Sequence, residues 1–294
     1  MQKFSGAITA IVTPFLPTGE VDLEALKKLV EFQIKSGINA IVPCGSTGEV
    51  ATLSDEEKGL VIRTVVEQVG KKVPVIAGAG SNDTAKAVSL SRIAKEAGAD
   101  ALLHVTPYYN KPTPKGLVAH FKAIANSCDL PIILYNVPGR TGSNVTAETT
   151  LRIAKEVPSV VGVKEASGNI NQIMEIIKGA SKNFSVLSGD DSMTYPLMAL
   201  GGDGIISVAA NEIPKEMSAL TRAVAESNWE KAKKLHYEWL DLMNINFIET
   251  NPQPVKTALA MMGKIKEIFR LPLVSMDEKN REKLKAVLSL HKLI

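Results

Sequence analysis

The sequence predicts a (β/α)₈ barrel followed by a C-terminal helical extension. Eight short runs rich in Val and Ile recur along the 294 residues, and each precedes a longer segment with a helical pattern. Their spacing of roughly 20 to 35 residues fits the strand–helix units of a parallel barrel. After residue 212 the short apolar runs stop and helical patterns continue. We therefore assign residues 1–212 to the barrel core with the candidate site, and residues 213–294 to the last barrel helix and the extension.

The eight predicted strands share β-branched residues and flanking turn residues. In chain order they begin near Ala7 (AITAIV), Asn39 (NAIVPC), Val73 (VPVIAG), Ala101 (ALLHV), Pro131 (PIILYN), Val160 (VVGVK), Phe184 (FSVLSG) and Gly204 (GIISVA). Helix starts are marked by capping patterns, in which a small polar residue precedes Glu or Gln by three positions. Such patterns occur at Ser54-x-x-Glu57, Asn169-x-x-Gln172 and Ser275-x-x-Glu278.

A doubly wound sheet is the rival architecture. It would usually carry a Gly-rich loop after its first strand, whereas Thr13-Pro14-Phe15 follows that strand here. The pair Gly78 and Gly80 is not a dinucleotide fingerprint, because Asp83 stands where the third glycine belongs. The barrel is therefore the better prediction.

Composition predicts an ordinary globular protein of the cytoplasm. Hydrophobic residues make up 45% and charged residues 22%, and the net charge of +3 is not clustered, so we expect no nucleic-acid partner. The two cysteines, Cys44 and Cys128, form no Cys-x-x-Cys motif, as expected in a reducing compartment. Cys44 precedes small polar residues, but no histidine lies near it in sequence to activate the thiol. No apolar run is long enough for a signal region or a membrane span, so we expect no membrane contact.

Polar and charged residues follow the predicted strands, at the end of a barrel where chemistry is located. These residues are Thr13, then Gly45-Ser46-Thr47-Gly48-Glu49, Thr106 to Asn110, Tyr135 and Asn136, Lys164 and Glu165, and Ser188 to Asp191. Hydroxyls, phenols and one amine thus meet at one edge. Asp190 and Asp191 share no ligand spacing with a histidine or a third carboxylate, and the four histidines are scattered, so we expect no metal.

Lys164 ends the sixth strand and is a candidate nucleophile. An ordinary lysine has a pKa near ~10.4 and is almost entirely protonated at neutral pH. Burial among valines disfavours the charged form, which would suit Schiff-base chemistry with a carbonyl. The alternative is a solvated lysine one step past a strand end.

The other candidates each have a structural alternative. Ser46 and Thr47 lie in a loop of small residues suited to a carboxylate, or in a simple capped turn. Tyr135 would point its phenol toward Lys164 from the adjacent strand, or pack in the core. Tyr109 lies in a Pro-flanked loop that displays it for function or for contact. Arg140 would bind a carboxylate through two hydrogen bonds, or form a surface ion pair.

The combination of motifs is similar to that of the 4-hydroxy-tetrahydrodipicolinate (dihydrodipicolinate) synthases, in the class I pyruvate aldolase family that includes N-acetylneuraminate lyase. The resemblance spans nearly the whole chain. Its motifs are Gly45-Ser46-Thr47-Gly48-Glu49, Thr106-Pro107-Tyr108-Tyr109-Asn110, Tyr135-Asn136-Val137-Pro138 with Arg140, Gly162-Val163-Lys164-Glu165, Asn251-Pro252 and Val255-Lys256.

The resemblance implies a lyase that condenses pyruvate with L-aspartate 4-semialdehyde in lysine and diaminopimelate biosynthesis, without a cofactor. Lys164 would form the pyruvate Schiff base. Tyr135, Thr47 and Tyr109 would form a proton relay, with Tyr109 donated by a neighbouring subunit. Members of this family are usually homotetramers built from two tight dimers.

The resemblance also implies the substrate-binding residues. Ser46 and Thr47 would bind the pyruvate carboxylate, and Arg140 would bind the carboxylate of the semialdehyde. Gly189 and Ile206 would line the site with backbone groups. Two alternatives are a sister aldolase that cleaves a sugar acid and a catalytically silent barrel that binds a keto acid. Arg140 argues against the first, because sugar hydroxyls need neutral partners.

A last implication concerns feedback by lysine, which inhibits many enzymes of this family at the tight-dimer interface. Asn82 and Tyr108 match positions that line that inhibitor site. Lys86 stands where sensitive enzymes carry a glutamate, and Lys58 where many carry a histidine. Two cations oppose the binding of a ligand that brings its own ammonium group, so little inhibition is expected.

Overall fold

A computed structural model describes residues 3–294 and contains one sheet of eight parallel strands. All eight predicted strands are present, and the largest offset is at the third, which begins at Ile76 instead of Val73. The strands are β1 Gly6–Ala10, β2 Ala40–Val42, β3 Ile76–Gly78, β4 Ala101–Val105, β5 Ile132–Asn136, β6 Val160–Glu165, β7 Ser185–Ser188 and β8 Gly204–Ser207.

Helices alternate with the strands and then continue alone, as predicted. Those of the barrel are α1 Leu23–Lys35, α2 Asp55–Val69, α3 Thr84–Glu96, α4 Pro114–Ser127, the single turn α5 Pro138–Thr141, α6 Ala147–Glu156, α7 Ile170–Gly179, α8 Thr194–Ala199 and α9 Pro214–Ala225. Three more follow: α10 Trp229–Ile245, α11 Gln253–Met261 and α12 Glu278–Leu290. No helix within residues 3–294 is long and apolar enough to cross a membrane. The division at residue 212 remains a prediction.

The sheet closes on itself. Its strand order is β2-β1-β8-β7-β6-β5-β4-β3, and a parallel bridge between Ile41 and Val75 joins the two outer strands. Inward-facing side chains such as Ile8, Val42 and Leu187 fill the interior, and a separate, larger core lies between strands and helices. The (β/α)₈ prediction is therefore confirmed, and the strand carboxyl ends form one rim.

Two of the three predicted helix starts are confirmed and one is wrong. Ser54 and Glu57 form both hydrogen bonds of a capping box, and the Asn169 side chain accepts from Gln172 N at 3.2 Å. The last helix begins two residues later than Ser275 predicts. There Asp277 accepts from Lys279 N at 3.0 Å, so the acidic side chain rather than the serine serves as the cap.

The rim at β5 and β6 is fixed by polar contacts outside the barrel. Glu165 is buried and accepts hydrogen bonds from Asn136 Nδ2 at 3.0 Å and from Gln172 Nε2 at 3.1 Å. Asn136 pairs with Glu165 across the two strands, one position beyond Tyr135 and Lys164. Because side chains alternate along a strand, this outward network holds the two preceding residues facing the barrel interior.

Candidate active site

Lys164 and Tyr135 lie side by side at the barrel rim. They are register partners on β6 and β5, both are buried, and the Lys164 Nζ lies 4.3 Å from the centroid of the Tyr135 ring. The sequence predicted this approach from adjacent strands. The Lys164 amine is thus shielded from bulk water and lies against an aromatic ring. Lysines that act as nucleophiles are found in such surroundings.

A second buried lysine shows by contrast why Lys164 is the candidate nucleophile. Lys256 on α11 forms an ion pair with Glu49, at 2.5 Å, in which both side chains are fully buried. Burial lowers the pKa of Lys256 while the Glu49 carboxylate opposes that shift. Lys164 forms no ion pair with any described carboxylate, and its side chain faces a cavity. Of these two buried lysines, Lys164 is therefore the one placed to meet a carbonyl substrate.

Gly189 leaves room for that amine. It follows β7, and a Cβ added there would lie 3.1 Å from the Lys164 Cε and 2.7 Å from the Ala166 Cβ. A larger residue would therefore crowd both the lysine side chain and the Ala166 methyl group. Gly189 thus acts by its small size, and it also lines the site.

Two adjoining cavities open over the lysine. The larger is about 470 Å³ and the smaller about 280 Å³. Both are lined by Ser46, Tyr135, Val137, Arg140 and Lys164, so the amine borders each of them. The two cavities thus provide space for small molecules beside the Lys164 amine.

The loop of residues 45–49 brings hydroxyls to the smaller cavity. Its Ser46–Gly48 portion is a short 3₁₀ helix that Thr13 fastens by donating to Gly48 O at 2.7 Å. Thr47 is buried, lines the smaller cavity, and accepts a hydrogen bond from Asn251 Nδ2 at 3.0 Å. Together with Ser46, it presents a polar wall opposite the amine.

Arg140 lies at the mouth of both cavities, on the short helix α5. Its Nη2 donates to the backbone oxygen of Asn251 at 3.0 Å, and no described carboxylate pairs with it. A solvent-exposed guanidinium held by one backbone contact keeps its other donors free for an incoming carboxylate. The surface ion pair that the sequence left open is absent among the described residues.

The two tyrosines after β4 differ in position. Tyr108 is 41% exposed and lines the larger cavity, whereas Tyr109 is 90% exposed and lines neither. Tyr109 has a φ of 69°, which is uncommon for a residue with a side chain. The chain therefore displays this phenol outward, away from its own Lys164.

Ile206 also lies away from both cavities. Its side chain is fully buried on β8 within the barrel interior, beside Leu187 and Ile8. Its assignment as a binding residue remains a prediction about its backbone. Among the predicted site residues, the structure thus brings together Lys164, Tyr135, Ser46, Thr47, Arg140 and Gly189, but not Tyr109 or Ile206.

Three other residues that the sequence analysis considered, Cys44, Asp190 and Asp191, have structural explanations. Burial raises the pKa of the Cys44 thiol to about 12, which keeps it protonated and unreactive. Asp190 caps a 3₁₀ helix by accepting from Ser192 N at 3.1 Å, and Asp191 accepts from Val208 N and Ala209 N at 3.0 Å. Within residues 3–294 no group of three or more His, Cys, Asp or Glu side chains is arranged as a metal site.

Sequence reasoning gave no role to Asn251 or Phe247. Both line the smaller cavity, although they come from the C-terminal tail. The only signal was the Asn251-Pro252 pair before α11, which belongs to the family motifs but was assigned no role in the site. Their contribution follows from the folding of the tail over the rim.

The whole chain is similar to known proteins. Residues 3–291 match the dihydrodipicolinate synthetase family. A 4-hydroxy-tetrahydrodipicolinate synthase of Maridesulfovibrio salexigens is 55% identical over 291 residues, which cover 99% of each chain. The crystal structure of dihydrodipicolinate synthase from Aquifex aeolicus is 48% identical, covers 99% of each chain and superposes with a TM-score of 0.97.

A third relative is a crystal structure of a complex with pyruvate. It is the chloride-inhibited dihydrodipicolinate synthase from Acinetobacter baumannii complexed with pyruvate, 47% identical, with 99% of each chain covered and a TM-score of 0.96. These similarities extend over the barrel, the site and the tail alike. Because the family model and these relatives match nearly the whole chain, the chain belongs to the dihydrodipicolinate synthetase family.

Proposed function

We propose that the chain condenses pyruvate with L-aspartate 4-semialdehyde to give 4-hydroxy-tetrahydrodipicolinate, the committed step toward diaminopimelate and lysine. The observation that carries this assignment is the buried, unpaired Lys164 amine beside Tyr135, in a cavity shared with a hydroxyl loop and Arg140. The family membership and the curated relatives support it. The two free, buried cysteines fit a cytoplasmic enzyme.

The first half of the reaction needs an amine and a proton carrier. The Lys164 Nζ attacks the keto carbon of pyruvate, water leaves, and an iminium forms. The iminium withdraws electrons, so a methyl proton is removed and an enamine results. Tyr135 and Thr47 border this position and are the groups that we assign to move the protons. Ser46 and Thr47 bind the pyruvate carboxylate.

The second half adds the semialdehyde. The enamine carbon attacks the aldehyde carbon, forming the new C–C bond and an alkoxide that takes up a proton. The amino group of the second substrate then displaces Lys164 from the iminium, which closes the ring and frees the enzyme. Arg140 binds the carboxylate of the semialdehyde at the cavity mouth.

Two measurements test this function. Borohydride reduction in the presence of pyruvate should add the mass of a reduced pyruvate adduct to a peptide containing Lys164. A coupled assay should then show turnover with aspartate semialdehyde and none with a panel of sugar acids. Adduct formation with turnover of a sugar acid would support a sister aldolase, and no adduct at all would support a silent keto-acid-binding barrel.

The Arg140→Ala variant should raise the KM for the semialdehyde by roughly 10- to 100-fold, the cost of a lost hydrogen bond to a charged group, and change the KM for pyruvate little. The guanidinium contacts only the second substrate in this proposal. Steady-state kinetics with each substrate varied will check it. Arg152→Ala, an exposed helix arginine paired with Glu156, is the matched control. Equal effects on both KM values would make Arg140 structural.

We also propose a homotetramer built from two tight dimers, in which Tyr109 completes the relay of a neighbouring subunit. The support is that this phenol is displayed outward in a strained backbone conformation. The Tyr109→Phe variant should therefore lower kcat by ~10-fold or more, within the range of proton-transfer groups. Tyr237→Phe, which changes another exposed tyrosine, is the control. Fully active monomers in sedimentation velocity at assay concentration would contradict the shared site.

We expect little or no inhibition by lysine. Lys86 and Lys58 both line the larger cavity, and both contact Asp55, at 2.5 Å and 3.6 Å. One carboxylate between two ammonium groups leaves an excess positive charge, which opposes an ammonium ligand by ~1 kcal/mol or more. Initial rates with and without millimolar lysine will test this, and Lys86→Glu should increase sensitivity. Strong partial inhibition of the unmodified enzyme below millimolar lysine would contradict the prediction.

A further inference from the structure

Asn251 contacts two residues of the candidate site, Thr47 and Arg140. It lies just before α11 in the C-terminal tail and is 4% exposed. Its side-chain Nδ2 donates to Thr47 Oγ1 at 3.0 Å, and its backbone oxygen accepts from Arg140 Nη2 at 3.0 Å. One tail residue therefore contacts a hydroxyl of the pyruvate side through its side chain and the cation of the semialdehyde side through its backbone.

The first hydrogen bond makes the Thr47 hydroxyl oxygen an acceptor. An amide N–H can only donate, so Thr47 Oγ1 must accept from Asn251. A hydroxyl has one proton, and when its oxygen accepts in this way that proton is free to be donated elsewhere. Thr47 borders the smaller cavity with Tyr135 and Lys164, so the proton is available on the side where the chemistry takes place.

The tail is anchored tightly enough to maintain that direction. Five residues after Asn251, the Lys256 Nζ pairs with Glu49 Oε1 in the fully buried ion pair. The backbone N–H of Arg270 also donates to Glu49 Oε2, at 3.3 Å. The tail thus contacts the loop of residues 45–49 at Thr47 and again at Glu49. A buried ion pair is costly to break, so these contacts hold the tail segment that carries Asn251 against the loop.

We propose that Asn251 is a positioning residue, through which the C-terminal tail directs the Thr47 hydroxyl to donate its proton toward Tyr135 and the lysine-bound substrate. This inference rests on the proposed Schiff-base function. It gives the helical extension a role in the chemistry, because the extension supplies the donor that orders the relay. The backbone contact with Arg140 is independent of the side chain, so the two roles can be separated by substitution.

The decisive variant is Asn251→Asp, which keeps the size of the side chain but replaces the donor with an acceptor. The Thr47 hydroxyl should then turn and donate to the carboxylate. We expect kcat to fall by ~10-fold or more, within the range of a disturbed proton-transfer group, and the KM for the semialdehyde to stay within ~3-fold. Exchange of the pyruvate methyl protons with D₂O, followed by NMR without the semialdehyde, should slow equally. Asn251→Ala, which leaves the hydroxyl free to rotate, should lose less.

A double-mutant cycle separates positioning from a general structural effect. In a Thr47→Val background, the Asn251→Asp change should cost no further methyl exchange, because no hydroxyl remains to be turned. Gln253→Glu is the matched control, since that amide donates to Val274 O at 2.8 Å in the same tail. It should leave kcat unchanged, and thermal unfolding will confirm that each variant is folded.

Three outcomes would overturn the inference. They are additive losses in the cycle, a wild-type kcat for folded Asn251→Asp, and an equal loss for Gln253→Glu. Failure of the proposed function is distinguishable, because the unmodified protein would then form no pyruvate adduct and exchange no methyl protons. An unmodified protein that does both, with an additive cycle, would retain the function and refute only the role of Asn251.

Discussion

Replacing Lys164 with alanine is expected to lower turnover by a factor on the order of 10³ or more, because in the proposed reaction this amine carries pyruvate. The fold should remain intact. The Lys164 side chain forms no ion pair with a described carboxylate and faces a cavity, so its removal strands no buried charge. The coupled assay measures turnover, borohydride trapping measures the adduct, and thermal unfolding measures stability.

Two further variants sharpen that experiment. Lys164→Arg should fail as well, because a guanidinium stays protonated at any accessible pH. Lys178→Ala, which removes an exposed lysine from α7, should keep full activity. Substantial activity in folded Lys164→Ala would remove this residue from its role and redirect attention to another nucleophile.

Replacing Tyr135 with phenylalanine should lower kcat by ~10²-fold or more, since the ring stays and only the proton-carrying hydroxyl is lost. The aromatic face remains against Lys164, so the unfolding temperature should change little. Steady-state kinetics and thermal unfolding together check this expectation. Methyl exchange of pyruvate should slow in parallel, because the phenol acts in the first half of the reaction.

The comparison with Tyr195→Phe controls for the general effect of deleting a phenol. Tyr195 packs against His236, away from both cavities. If Tyr135→Phe loses stability while folded molecules keep their kcat, the tyrosine is a core residue. A loss of kcat at unchanged stability supports the relay.

The strands, most helices and the neighbouring positions of Lys164 and Tyr135 could be predicted from the sequence. β-branched runs of fixed spacing predicted eight strands, and their carboxyl ends identified Lys164 and Tyr135 as neighbours. These features depend on short-range patterns and on the rule that parallel strands present their ends at one rim. The family resemblance rests on the same local motifs, and the similarity to known proteins confirms it.

The exact start of the last helix and the position of some candidate residues relative to the cavities could not be predicted from sequence patterns. The last helix begins at Glu278, where the Asp277 side chain rather than that of Ser275 caps it. The burial of the Ile206 side chain outside both cavities depended on barrel closure. That burial was decided by packing between segments that no local period connects.

The sequence by itself therefore determined the barrel, its rim and the identity of the amine at its centre. Only the tertiary structure decided that the Asn251 amide donates to Thr47 and that Lys256 pairs with Glu49, contacts that join residues more than 200 positions apart. The physical reason is that a periodic pattern records which face of an element is buried, whereas a hydrogen bond between distant segments is recorded nowhere in either segment. It forms only where folding places a donor within about 3 Å of an acceptor.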